Sequence, residues 1–211
     1  MIETEPTAHN ETGRLEAFSD GVFAIAITLL VLDLKVPREL AEGQTLASAL
    51  AGLWPAYFGF LTSFATIGIM WINHHRLFQM IGRCDERLLV FNGLLLLGVT
   101  FVPFPTGVVA EYVQKPESRT AALFYGGTFF VIAIFFGLLW RHVSKDRRLI
   151  DPRVPQEAVD QVTRAYRIGP ASYLLTALAA LISGELSMAL NLALAVFWAL
   201  PGKFQMRLLG G

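Results

Sequence analysis

Six stretches of the chain come close to the roughly 20 consecutive apolar residues that a helix needs to cross a bilayer. The first covers residues 18–34 and stops at Lys35-Val36-Pro37; the second covers 53–73, opens at Trp54-Pro55 and ends in Asn73-His74-His75-Arg76. The third covers 88–110 and should bend near Pro103 and Pro105, where a missing N–H and a bulky ring interrupt the helical ladder. The fourth covers 121–140. The fifth and sixth, 168–183 and 186–200, are short and separated by Gly184-Glu185, which reads as a tight hairpin whose last helix runs past Pro201 toward Met206. The pattern predicts an all-α integral membrane protein, with a polar tail over residues 1–13 and a single six-helix transmembrane domain over residues 14–211.

Composition agrees with that class. Hydrophobic residues make up 54% of the 211 residues and charged ones 16%, and the mean hydropathy is +0.51, more apolar surface than a soluble domain of this size can hide. The net charge is zero, so no nucleic-acid partner is indicated. The single Cys84 excludes an intrachain disulfide. The acidic, polar start gives no secretory leader, and the apolar run behind it is too long for one.

Basic residues then orient the six spans. One side of the membrane receives thirteen of the 17 Lys and Arg residues: Arg14, Arg76, Arg83, Arg87, Arg141, Lys145, Arg147, Arg148, Arg153, Arg164, Arg167, Lys203 and Arg207. The other receives Lys35, Arg38, Lys115 and Arg119. That bias places both termini in the cytoplasm.

The first span carries the candidate chemistry. On a wheel at ~100° per residue with Ile25 at zero, Phe18, Val22, Leu29, Leu32 and Val36 fall within ~60° of it and Thr28 lies at ~−60°. Ser19 at ~+120° and Asp20 at ~−140° point elsewhere. One face is thus an apolar ladder with one hydroxyl, and another carries a polar cluster at the membrane entry. A carboxylate beside a spanning helix costs roughly 2.5–3.5 kcal/mol on insertion scales, so Asp20 calls for a partner. On periodicity alone the ladder reads as packing or lipid contact, Ser19 or Asp20 as a helix cap, and Thr28 as a hydroxyl bonded back to the helix. Asp33, at ~+80°, sits near the far mouth.

Arg14, Phe18, Ser19 and Asp20 spell R-x-x-x-F-S-D, and Gly21-Val22-Phe23-Ala24-Ile25-Ala26-Ile27-Thr28 follow directly. This resembles the first-helix signature of the endolysosomal potassium channel family, transmembrane protein 175, and its bacterial relatives. The resemblance implies one six-helix repeat per chain, a homotetramer whose first helices line a central pore, and the plasma membrane of a prokaryote. It places the pore constriction at Ile25, with Leu29 and Leu32 as further apolar rings and Thr28 as a hydroxyl layer. It also assigns Arg14, Phe18, Ser19 and Asp20 to a hydrogen-bond network with Trp and His side chains of following helices. Trp71, Asn73, His74 and His75 are the local candidates, and both histidines stay open.

The implied activity is passive conduction of K⁺ and other monovalent cations through an apolar collar, with modest preference for K⁺ over Na⁺, because no TVGYG-like run offers carbonyl rings. It implies no enzyme, no resident metal and no cofactor beyond the permeant ion, and its partners are other copies of the chain and membrane lipid. The competing class is a proton-coupled secondary transporter that relays through Asp20 and His74 or His75. A metalloenzyme is disfavoured, since adjacent histidines on a helix diverge by ~100° and chelate poorly.

Overall fold

A computed structural model describes residues 7–200. It is all-helical: among the described residues there is no strand, and one antiparallel bridge joins Ile81 to Ile150. The helices are α1 (Thr7–Leu29), α2 (Leu46–Gly52), α3 (Trp54–Phe78), α4 (Glu86–Phe101), α5 (Pro103–Tyr112), α6 (Ser118–Ser144), α7 (Gln156–Ala179) and α8 (Gly184–Ala199).

Among the described residues, four helical segments are long and apolar enough to cross a membrane: Glu11–Asp33, Trp54–Phe78, Glu86–Tyr112 and Ser118–Arg147. α8 is apolar but shorter. α1 begins within the expected polar tail, taking in residues 7–13, and its last turn tightens into a 3₁₀ segment over Leu30–Asp33. The third span divides where Pro103 and Pro105 stand, because neither can donate to the ladder; Val102 N–H bonds three residues back to Val99, and α5 resumes at Pro103. α7 starts twelve residues before the apolar window at residue 168, since its first half carries charge on one face and still buries Val159 on another. It ends at Ala179, so the hairpin turns over residues 180–183, with the Ser183 hydroxyl capping α8 through Leu186 N–H at 3.2 Å. Leu200 is extended ahead of Pro201, as a pre-proline residue prefers. The expected continuation toward Met206 lies outside the described residues.

α6 is the central post and packs against α4, α5, α7 and α8, while α1 lies across α3 and α4. The α6–α7 approach is close enough that a Cβ on Gly126 would sit 2.9 Å from Ala177 Cα, the small-residue packing by which membrane helices gain contact without a hydrophobic driving force. Buried hydroxyls pin the same region: Ser63 Oγ lies 2.6 Å from Thr106 Oγ1 and 3.1 Å from Tyr125 Oη, tying α3, α5 and α6 together. At the basic end, Gly82 N–H donates to Leu149 O and Asp151 N–H to Met80 O, both at 2.9 Å, so the α3–α4 and α6–α7 connections are stitched side by side.

Candidate functional site

α1 divides into two faces, as 3.6-residue periodicity requires. Ser19, Phe23, Ala26 and Leu30 are buried against the rest of the bundle. Ile25 is 59% exposed, Leu29 40% and Leu32 70%, and Thr28 is exposed beside them. Phe18 and Val36 extend the same open stripe, and Val22 is half-buried at its edge. Thr28 Oγ–H donates to Ile25 O at 2.8 Å, which occupies the hydroxyl proton and leaves its oxygen as an acceptor on the open face. Asp33 is half-buried against α5, where a Cβ on Gly107 would lie 3.0 Å from its Oδ1.

The polar side of α1 forms three contacts. Asp20 Oδ1 accepts from Trp71 Nε1–H at 2.8 Å, joining α1 to α3. Glu16 Oε1 lies 2.7 Å from His75 Nδ1, a second α1–α3 contact one turn nearer the basic end, and Gln79 Nε2 meets the other ring nitrogen at 2.9 Å. The third is a fully buried relay: His74 Nε2 lies 2.9 Å from Asn92 Oδ1, Asn92 Nδ2 donates to Ser19 Oγ at 2.9 Å, and Ser19 Oγ–H donates to Leu15 O at 2.8 Å. With the amide oxygen facing it, His74 Nε2 carries the proton, so Nδ1 is the basic nitrogen; it is buried with no hydrogen-bond partner among the described residues. The imidazole is instead held between aromatic rings, stacked on Phe78 at 4.2 Å between centroids and tilted to Phe23 at 5.4 Å.

Of the residues singled out from sequence, the structure brings together Ser19 with His74 and Asp20 with Trp71. It puts His75 with Glu16. Arg14 is exposed and has no partner among the described residues, Phe18 lies on the open stripe, and Asn73 faces a separate cavity between α3, α6 and α7. No hydrogen bond among the described residues joins Asp20 to either histidine. Sequence reasoning missed Asn92 and Glu16. Asn92 did carry a signal, being an amide near the start of a long apolar run.

At the basic end of the bundle, a second clamp gathers on Asp85, which precedes the third span and caps α4 through Leu88 N–H at 2.8 Å. Its carboxylate also receives His142 Nε2 at 2.9 Å and Arg148 Nη2 at 3.0 Å from the end of α6. Partial burial pushes its pKa up, but the His142 hydrogen bond, the Leu88 N–H and the Arg148 charge outweigh that and hold it below the ordinary aspartate value.

A family model described as endosomal/lysosomal potassium channel TMEM175 matches residues 14–103, which hold every side chain of the contacts between α1, α3 and α4 just described. A potassium channel of Chamaesiphon minutus is 50% identical over 197 residues, covering 93% of this chain and 97% of its own length. One of Streptomyces collinus is 43% identical over 190 residues, covering 90% and 92%. A crystal structure of a lysosomal potassium-selective channel TMEM175 homolog from Chamaesiphon minutus, 50% identical, superposes with a TM-score of 0.84 over 92% of this chain and 98% of that one.

Proposed function

This chain belongs to the endosomal/lysosomal potassium channel family, TMEM175, and on that ground we propose that it is a passive K⁺-permeable cation channel of a prokaryotic plasma membrane. The proposed subunit is one six-helix domain over residues 14–211, with α7 and α8 completing the four long spans and both termini in the cytoplasm. Four copies place the open stripe of α1 around a common axis. Ile25 then forms the narrowest apolar collar, Leu29 and Leu32 form further rings, and the Thr28 oxygens offer a partial substitute for hydration water. Apart from Arg14, Phe18 and Asn73, which make no such contact among the described residues, the motif residues Ser19, Asp20, Trp71, His74 and His75 form the supporting network together with Glu16 and Asn92. They set the pitch of α1 and do not meet the ion.

The observation that carries this reading is the open stripe on α1. The helix with the family motif is the least covered of the four long spans, only 22% of its apolar window being buried within the subunit, against 39–50% for the others. Ile25, Leu29 and Leu32 are among the side chains left out, while Leu30 is sealed inside. A narrow collar of such groups strips hydration without replacing it, so it closes by dewetting and conducts when the helices tilt enough to wet it. Selectivity then rests on partial dehydration, which favours the larger K⁺ modestly.

Planar-bilayer recording of the purified protein tests the proposal. Discrete ohmic K⁺ currents are expected, and a saturating flux coupled to a proton gradient would replace the channel with a transporter.

A further inference from the structure

A cavity of about 290 Å³ opens between α3, α6, α7 and α8, on a different side of α3 from the contacts with α1. It is near the small end of ligand sites, which run to roughly 300–1,000 Å³. Its walls are apolar and aromatic, including Phe129, Phe136 and Trp198. Among the described residues that line it, Arg76 is the only charged one, with no acidic side chain opposite. Arg76 is exposed and has no hydrogen-bond or ion-pair partner among the described residues. Along α3 the cavity lining runs from Thr66 to Leu77, about 17 Å at 1.5 Å per residue and close to half the hydrocarbon thickness of a bilayer, with Met80 just past the helix end and Arg76 near that end. An apolar slot one leaflet long, with a single unpaired guanidinium at the basic end of the bundle, complements a molecule with one charged phosphate and a long apolar tail.

We propose that this cavity takes an acyl chain of an anionic phospholipid of the cytoplasmic leaflet, whose phosphate rests on Arg76. Arginine matches phosphate oxygens in a bidentate fork, and basic pockets between membrane helices on the cytoplasmic side are suited to such headgroups. A zwitterionic lipid offers the same tail but cancels the phosphate charge with its own cation. The chain therefore selects by headgroup at Arg76 and by shape in the cavity. This rests only on the membrane placement of the bundle, not on which ion crosses it.

Trp198 in the cavity wall makes the test direct. The protein is reconstituted into vesicles containing brominated phosphatidylglycerol or, at equal bromine density, brominated phosphatidylcholine, and the fluorescence lost in Trp198→Phe is taken as the cavity signal. Phosphatidylglycerol should quench that signal with roughly fivefold preference, as one basic residue at the membrane surface sets. Arg76→Gln should bring the two lipids level without altering subunit assembly. Ala165→Leu, which narrows the cavity and leaves the charge in place, should weaken quenching by both lipids. Equal quenching of the cavity signal by the two lipids in the parent protein, or a preference that survives Arg76→Gln, would each overturn the proposal, the quenching left in Trp198→Phe being that of the other tryptophans, of which Trp54 and Trp71 are exposed.

Discussion

At the scale of single residues, burial and exposure on α1 assign opposite jobs to neighbours. Ile25 is apolar, large and open, and in the proposed tetramer it acts where copies meet. Ile25→Asn places an amide at the collar, which holds water where the isoleucine excludes it; the expected result is increased leak and a flattened K⁺/Na⁺ preference. Reversal potentials in mixed K⁺/Na⁺ solutions measure this, and an unchanged permeability ratio would remove Ile25 from the constriction. Asn92 is the converse case, sealed inside and bonded on both amide atoms. Asn92→Leu leaves the His74 N–H buried without an acceptor, at a cost of about 1–3 kcal/mol. Replacing both partners, as His74→Phe with Asn92→Leu, removes the orphan and should recover most of the loss. Thermal melting of the detergent-solubilised variants reads both, and a double variant no better than the single one would show that packing, not the relay, sets the cost.

At the scale of elements, much of the chain is legible in its sequence where the signal is local. The two faces of α1 follow from helical periodicity, and the break between α4 and α5 from Pro103. α2 is not legible from hydropathy, because it is seven residues long and is held by a Thr45–Ser48 capping box. The early start of α7 is hidden because charges on one face mask the apolar pattern on the other. The partners of the motif are harder still: Ser19 and Asn92 are 73 residues apart, and Glu16 and His75 are 59 apart, so only tertiary packing brings them together. The Asp85 clamp between α4 and α6 belongs to this class and is testable by pH. A carboxylate whose folded pKa is depressed adds stability that is present above its unfolded value, about 3.9, and is lost as pH falls through the folded value. The parent should therefore melt above Asp85→Asn at pH 6, by an amount equivalent to no more than about 1 kcal/mol for a partly exposed cluster. The gap should narrow as pH falls through the folded value of Asp85, and a gap that stays level across the whole acid range would assign the difference to packing rather than to the charge.

At the scale of the whole molecule, the subunit leaves Ile25, Leu29 and Leu32 open on the helix bearing the family motif. Contiguous apolar surface of that kind is covered by lipid or by another copy, and only the second arrangement encloses an axis. In the proposed tetramer, closed rotational symmetry presents the same face of α1 four times. The angle at which it does so is set by the contacts behind it, of which Asp20 with Trp71 lies nearest the collar in sequence. Asp20→Ala removes the acceptor and leaves the Trp71 indole, already 41% exposed, without it, so α1 loses one of its fixings to α3. The ring should then weaken while the chemistry of the collar stays as it was. Native mass spectrometry is expected to show tetramers for the parent and a shift toward monomer and dimer for Asp20→Ala, with the K⁺/Na⁺ ratio of the remaining channels unchanged. Undiminished tetramers together with an altered ratio would move Asp20 from the scaffold to the ion path.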